Sequence, residues 1–343
     1  LFAIYSKRFA KPCTATLKGY KTVKNHKHVL LLMEVLLKDG KFLAEDYRTL
    51  RRRKFGKAVG DKIELHPVEA AYLLLKDMIE VRKDGRQIDF FELMGEACRD
   101  RNFIPLFLVY SDLRDRGKRV IVEDKFLYGD RLYFPVSERQ KMSVSELYSI
   151  LADKGEYILS VVDEESEITY YRVFEPSMRG KAEVSDRRIS GFFAGDRVLS
   201  REVEIFKKFF YGSERDGLVA LSVLEALYLQ EKGYLEVNKE LRDIARTIER
   251  NFEDRYGLYR DLKERGLVVK TGFKFGSDFR VYDEITDVSQ LPHSKYLVSM
   301  VDRTTLPEIS RAVRLANSVR KKMVFAFRKQ KEWKYLALDR VKV

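Results

Sequence analysis

The sequence predicts an α+β protein built as a tandem repeat of two units, each with helices first and a mixed α/β layer after them. Three observations predict it. The chain has 343 residues, and single hydrophobic cores stop growing near ~250–300 residues. Three segments recur in the same order, "VEAAYLLLKDMIEV" (68–81) as "LEALYLQEKGYLEV" (224–237), "YSDLRDRGKRVIV" (110–122) as "YRDLKERGLVVKT" (259–271), and "ILSVVDEESEITYYRV" (158–173) as "MVFAFRKQKEWKYLAL" (323–338). Their offsets of 156, 149 and 165 residues differ as small loop insertions make them differ. Within each unit, apolar residues keep helical spacing and then switch to short β-rich runs.

The elements follow in order. Residues 1–32 carry seven Lys or Arg, no acid and no sustained amphipathic period. Three readings compete for this stretch: a basic nucleic-acid-binding arm, a targeting segment, or translated sequence upstream of a start at Met33. The last is favoured, because a secretory signal needs a continuous apolar core and a small-residue end. Pro67 suits the first turn of a helix in which Val68, Ala71, Tyr72 and Leu75 share a face. "FEPSMRGKAEVSDRR" (174–188) is rich in Pro, Gly, Ser and charge and predicts a boundary, with the strands of "ISGFFAGDRVLS" opening the second unit. There, Leu221, Leu224, Leu227 and Tyr228 repeat the helical spacing. A further helix is expected over about 238–265, ending at Gly266 as its cap. Short strands follow at "LVVKT" (267–271), "DFRVY" (278–282) and "KYLVSMV" (295–301), then a helix opened by Pro307, then a hairpin of strands at about 323–328 and 333–341.

Composition narrows the class. No apolar run reaches the ~18–20 residues of a membrane helix. Cys13 and Cys98 are the only cysteines, which excludes a disulfide framework and fits a reducing cytoplasm. With two cysteines, four histidines and no CxxC, a structural zinc site is not expected. The formal charge of +13 favours polyanionic partners, against a solvated, ion-paired surface as the plain alternative.

Three side chains stand at predicted element ends, where a scaffold can aim polar groups into a cleft: Tyr282 in "FRVY", His293 in "LPHSKYLV" and Lys321 in "SVRKKMVFAF". Each has a plain explanation on its own: a core tyrosine, a capping histidine, a lysine answering the helix dipole. The halves differ, however. The offset of 149 sets Tyr282 against Tyr133 and His293 against Val144, and the offset of 165 sets Lys321 against Glu156. One copy therefore holds His and Lys and the other holds neither.

The run "YRDLKERGLVVKTGFKFGSDFRVY", then "LPHSKYLV", "RAVRLANSVRKKMVFA" and the terminal "DRVKV" resembles the archaeal tRNA-splicing endonuclease family. The fused two-unit, homodimeric form fits, because "GDKIELHPVEAAYL", "LRDRG" and "VVDEESEITYYRV" match in the first unit. The resemblance covers about residues 34–343. It implies residues 33–180 as a degenerate structural unit and 181–343 as a catalytic one with a nuclease-like layer at about 253–343. It also implies RNA cleavage by a Tyr282–His293–Lys321 triad at the bulge–helix–bulge of precursor tRNA, with no cofactor and no metal. RNA brings its own nucleophile, the 2′-hydroxyl. Tyr282 would take its proton, His293 would protonate the departing 5′ oxygen, and Lys321 would hold the charge on the pentacovalent phosphate. Of the adjacent lysines, the family alignment selects Lys321 over Lys322. The resemblance further implies Arg314 and Arg340 stacking on a bulged base; Arg314 precedes Lys321 by two helical turns. It implies an acidic loop of Asp163, Glu164, Glu165 and Glu167 that enters a basic groove on a partner subunit. Two rival readings remain, a non-catalytic RNA-binding subunit of the same fold and a metal-dependent DNA nuclease. The latter needs clustered carboxylates and would lose its cleavage to a chelator.

Overall fold

A computed structural model describes residues 14–17, 20–25, 28–31, 33–45, 47–98, 100–285, 294–301 and 304–343. The chain divides into two compact units, Leu1–Gln140 with Glu156–Arg172 and Val341–Val343, and Lys141–Gly155 with Val173–Arg340.

Unit one begins with an antiparallel meander of β1 (Thr14–Leu17), β2 (Tyr20–Asn25) and β3 (His28–Leu31). Next come β4 (Met33–Lys38), β5 (Lys41–Ala44), α1 (Tyr47–Arg52), β6 (Lys57–Val59), β7 (Lys62–Leu65), α2 (Pro67–Leu75), β8 (Ile79–Lys83) and β9 (Arg86–Ile88). They form a sheet in the order β6-β7-β5-β4-β8-β9, in which β4 and β8 run parallel. Helix α2 has Pro67 in its first turn and a capping box, His66 Nδ1 accepting from Val68 N and Glu69 accepting from His66 N. Helices α3 (Phe90–Ala97) and α4 (Phe103–Asp115) lead to β10 (Ile121–Glu123), β11 (Phe126–Tyr128) and β12 (Leu132–Ser137). Strands β13 (Tyr157–Val162) and β14 (Ile168–Phe174) follow; helix α5 (Val144–Lys154), between β12 and β13 in the chain, belongs to unit two. The second sheet of the unit runs β10-β11-β12-β13-β14, with β12 and β13 parallel across α5.

Unit two has the same plan. Its first sheet, β17-β18-β16-β15-β19, is built from β15 (Ile189–Ala194), β16 (Arg197–Ser200), β17 (Ser213–Arg215), β18 (Leu218–Ser222) and β19 (Leu235–Val237). The short α6 (Glu204–Lys207) and α7 (Val223–Glu231) stand where α1 and α2 stand in unit one. Helices α8 (Leu241–Ile248) and α9 (Phe252–Glu264) precede β20 (Val268–Thr271), β21 (Phe279–Tyr282), β22 (Tyr296–Met300), α10 (Leu306–Ser318), β23 (Lys322–Lys329) and β24 (Glu332–Arg340). Neighbouring strands β20 to β24 pair antiparallel, antiparallel, parallel and antiparallel, with α10 as the crossover between parallel β22 and β23.

Two local expectations are corrected. Leu221 is a strand residue, because Ser222 caps α7 and starts it at Val223: Ser222 Oγ accepts from Glu225 N, and Glu225 accepts from Ser222 N at 2.9 Å. The single helix expected over 238–265 is two helices. Glu249 leaves α8 in an extended conformation, and Asn251 sits left-handed at φ 55° before α9, a geometry Asn tolerates better than most residues. Gly266 ends α9 as expected, with φ +74°. It also lets residues 180–182 of the same unit approach. Gly180 N donates to Arg265 O and Ala182 N to Gly266 O, and a Cβ on Gly180 would lie 2.3 Å from Gly266 O.

Equivalent cations sit behind the two capping glutamates. In unit one Arg114 lies 3.7 Å from the centre of the Phe55 ring; in unit two Lys263 lies 4.3 Å from that of Tyr211. Lys263 is buried, and burial drives its pKa down to about 7 against the partial support of Glu225. A lysine with a depressed folded-state pKa destabilises the fold fully below that value, and the penalty disappears as pH rises toward its unfolded value near ~10.5. Lys263→Met is therefore expected to be more stable than the parent at pH 7. Its advantage should shrink steadily toward pH 10, as read from urea midpoints across that range.

Candidate active site

Strand β21 sends its side chains alternately to two faces of the sheet. Phe279 and Val281 join the core on the α9 side, Phe279 packing at 5.9 Å from Tyr259. Arg280 and Tyr282 alternate to the other face. Tyr282, 5% exposed, sits opposite Val268 and meets Phe210 edge-on at 6.2 Å.

The end of α10 fixes Lys321. The helix stops at Ser318, and Arg320 turns left-handed at φ 56°. Arg320 N donates to Asn317 O at 3.0 Å and Lys321 N to Ala316 O at 2.9 Å, the hydrogen-bond pair of a Schellman motif. Lys295 then levels the strands: its N donates to Val281 O, and its O accepts from Lys322 N, both at 3.1 Å. The end of β21 and the starts of β22 and β23 thus lie side by side, so the Tyr282 and Lys321 backbones are two strand spacings, ~10 Å, apart.

Alternation separates the two lysines. Lys322 is paired with Tyr296 on the α9 side, its Nζ 5.4 Å from the centre of the Phe174 ring. Lys321, one residue earlier, turns to the face that carries Arg280 and Tyr282. It is 8% exposed, with Nζ 5.3 Å from the centre of the Phe275 ring and 3.4 Å from Val319 O. Among the described residues no carboxylate pairs with it. Burial first, and then the Arg280 charge, lower its pKa. Its neighbour Lys295 is different: Asp283 Oδ2 lies 2.6 Å away and raises its pKa. The charge of Lys321 is free for a ligand, and that of Lys295 is not.

His293 lies outside the described residues. Arg314 is exposed on α10, and Arg340 is exposed at the end of β24. The shared helical face expected for Arg314 and Lys321 is corrected, because α10 ends three residues before the lysine. The acidic loop connects β13 to β14. Asp163 Oδ1 accepts from Glu165 N at 3.0 Å and Glu167 N at 2.9 Å, while Glu164 pairs with Arg139 at 2.5 Å. Glu164, Glu165 and Glu167 are exposed.

Register also corrects the comparison of halves. Tyr282 pairs with Val268, the first residue of β20, and Tyr128 pairs with Ile121, the first residue of β10. Tyr133 lies one strand further on, in β12, and so is not the counterpart of Tyr282, which ends β21. Val144 opens helix α5 and so corresponds to the start of α10, not to the connection 283–295 that holds His293. The equivalent connection in unit one is only 129–131 and contains no histidine. Glu156 keeps its place, just before β13 as Lys321 is just before β23, and is held by Arg172 at 2.6 Å. Arg280 was not singled out from sequence; its position two residues before Tyr282 on a strand was the available signal.

Removing the Arg280 charge is expected to raise the pKa of Lys321. In Arg280→Met, NMR titration of 13C-methylated lysines should move the Lys321 resonance toward the ordinary lysine range and leave the other lysines in place.

Comparison with known proteins places these residues in a family. The profile of the tRNA intron endonuclease N-terminal domain matches residues 28–94 and again 189–246, and that of the tRNA intron endonuclease catalytic C-terminal domain matches residues 252–335. The tRNA-splicing endonuclease of Methanosarcina acetivorans is 36% identical over 337 residues, covering 88% of this chain and 95% of that protein. Its namesake in Methanosarcina barkeri is 35% identical over 350 residues, covering 91% and 100%. That of Natronomonas pharaonis is 37% identical over 300 residues, covering 79% and 87%.

Proposed function

The chain belongs to the tRNA intron endonuclease family and is an RNA endonuclease, a tRNA-intron lyase acting on precursor tRNA; from that premise we infer that it cuts bulge–helix–bulge sites without a metal. The observation that carries the inference is the level placement of Tyr282 and Lys321 on one face, with the lysine unspent by any described carboxylate. The 2′-oxygen next to the scissile phosphate attacks phosphorus, and Tyr282 takes the hydroxyl proton. Lys321 holds the charge that builds on the phosphate oxygens in a site from which water is largely excluded. The bond from phosphorus to the 5′ oxygen breaks, and His293 supplies the proton that oxygen needs. The products are a 2′,3′-cyclic phosphate and a 5′-hydroxyl. Arg314 and Arg340, both exposed, hold a bulged base between their guanidinium planes.

In this reading residues 33–180 form a structural unit, 181–343 the catalytic unit with its nuclease domain at about 253–343, and 1–32 a basic extension. The protein acts in the cytoplasm as a homodimer. Among the described residues no helix is long and apolar enough to cross a membrane. The dimer is supported by charge. A groove of about 450 Å³ in unit two is lined by Arg197, Arg255, Lys270 and Arg280; Glu249 and Glu225 in its wall pair with Arg255 and Lys270, and Arg280 Nε is buried there with no hydrogen-bond partner among the described residues. The exposed loop of Asp163, Glu164, Glu165 and Glu167 is its complement on a second copy.

General acid catalysis contributes about 10²–10⁴-fold. His293→Ala is accordingly expected to lose that much of its single-turnover rate on a bulge–helix–bulge RNA, while the wild type leaves cyclic phosphate ends and keeps its rate in chelator. An undiminished mutant rate, or linear 3′-phosphate as the first product, refutes the mechanism. Reversing the charges of Asp163, Glu164, Glu165 and Glu167 should raise the dimer dissociation constant in sedimentation, and unchanged association removes the loop from the interface.

A further inference from the structure

The connection between β20 and β21, residues 272–278, has no task in the mechanism above, and it carries the most exposed large apolar side chain among the described residues, Phe273 at 87%. The turn is firmly built. Phe275 N and Ser277 N donate to Gly272 O at 2.8 and 3.3 Å, Gly276 N donates to Phe273 O at 3.1 Å, and Gly272 N donates to Asp278 O at 3.1 Å. A Cβ on Gly272 would fall 2.3 Å from Ser277 Oγ, and Gly276 is left-handed at φ +61°. Phe273 is thus held outward by a backbone that has few other ways to run.

The turn also belongs to the site. Phe275 is the ring beside the Lys321 ammonium, and a Cβ on Gly276 would lie 3.5 Å from Leu315, the residue after Arg314 on α10. Its single acid is already engaged, Asp278 accepting from Arg255 and from Met300 N, both at 2.8 Å. Exposed Lys274 remains beside Phe273. In unit one the matching connection is only Asp124 and Lys125, with no aromatic residue. A lone exposed ring flanked by a lysine, on an enzyme whose substrate has unpaired bases, matches how proteins bind single-stranded RNA: a π-face for the base and a cation for its phosphate.

We propose that residues 272–278 form a stacking platform for an unpaired base of the RNA substrate, with Phe273 as the stacking ring and Lys274 beside the flanking phosphate. The proposal rests on the precursor-tRNA substrate and concerns a base other than the one assigned to Arg314 and Arg340.

Binding is measured by fluorescence anisotropy on the full chain, with a bulge–helix–bulge RNA carrying 2′-deoxy sugars at both scissile positions and 2-aminopurine in the bulge. Loss of one base–aromatic stack corresponds to about 5- to 150-fold in affinity. Phe273→Ala should weaken binding within that range and abolish the quenching of 2-aminopurine; Phe273→Trp should retain both. Phe91→Ala, a control at another exposed ring (66%), should bind as the parent does, and a fully paired duplex should not distinguish the variants. Parental affinity in Phe273→Ala, or equal weakening on the duplex, overturns the proposal. So does a fall in sedimentation coefficient, which would put the ring in a contact between copies. Because the RNA cannot supply the attacking hydroxyl, this result stands apart from the triad: a fully active His293→Ala would sink the mechanism and leave the platform untouched.

Discussion

The buried ion pair between Glu225 and Lys270 holds unit two together, and its side chains are only 8% and 10% exposed. A buried pair that is merely close gains little over its desolvation; it becomes favourable when every remaining polar atom is also satisfied. Here that condition is met. Glu225 accepts from Gly212 N, Ser222 N, Ser222 Oγ and Lys270 Nζ, and Lys270 Nζ donates further to Phe210 O and Gly212 O. Burial pushes the Glu225 carboxyl up, and Lys270 with these donors outweighs it, so the group stays charged. One side chain thus caps α7, pins the 210–212 segment and reaches β20. Since Lys270 pairs across the strands with Arg280, two residues from Tyr282, the same anchor sets the strand that carries both. The Phe210 ring packed against Tyr282 is part of that anchored segment.

Unit one keeps the capping half of this device and lacks the ionic half. Glu69 accepts from Gly56 N and His66 N, as Glu225 does from Gly212 N and Ser222 N, but Ile121 stands where Lys270 stands in β20. Burial raises the Glu69 pKa despite its backbone donors and nearby Arg114. The repeat therefore conserves backbone hydrogen bonding, which the fold requires, while the charged positions have parted. The two connections that differ most, 124–125 against 272–278 and 129–131 against 283–295, flank the strand that ends in Tyr282. Loops at the end of a rigid sheet tolerate such changes because little of the core depends on them.

Much of this was legible in the sequence, and the residues show why some was not. Pro67 and Gly266 are local signals whose geometry one short segment decides, so the start of α2 and the end of α9 follow directly. The break before α9 escaped because "ERN" keeps charge and helical propensity while Asn251 turns left-handed. Tyr282 and Lys321 were legible through family motifs, but their counterparts needed register. A single offset cannot pass through connections whose lengths differ by several residues, and that set Tyr282 against Tyr133, one strand too far on. Arg280 was invisible for another reason. An arginine on a strand reads as exposed until pairing shows which face it shares.

The lysine itself illustrates what such a site demands of its fold. Arg320 adopts a left-handed conformation that costs a non-glycine residue about 1–2 kcal/mol, and Lys321 behind it is buried with no described carboxylate to offset its lost hydration. Both would be easy to relieve, the first by glycine and the second by an acid placed as Asp283 is placed beside Lys295. A carboxylate there would stabilise the free protein and repel the phosphate. An unpaired, partly desolvated cation has the opposite character, since it gains most when an anion arrives and more still as charge builds on that anion. The strain of the left-handed cap and the unmatched charge are thus one feature. The cap turns Lys321 away from the side of the sheet that holds Lys322, and the missing partner leaves its charge unmatched among the described residues.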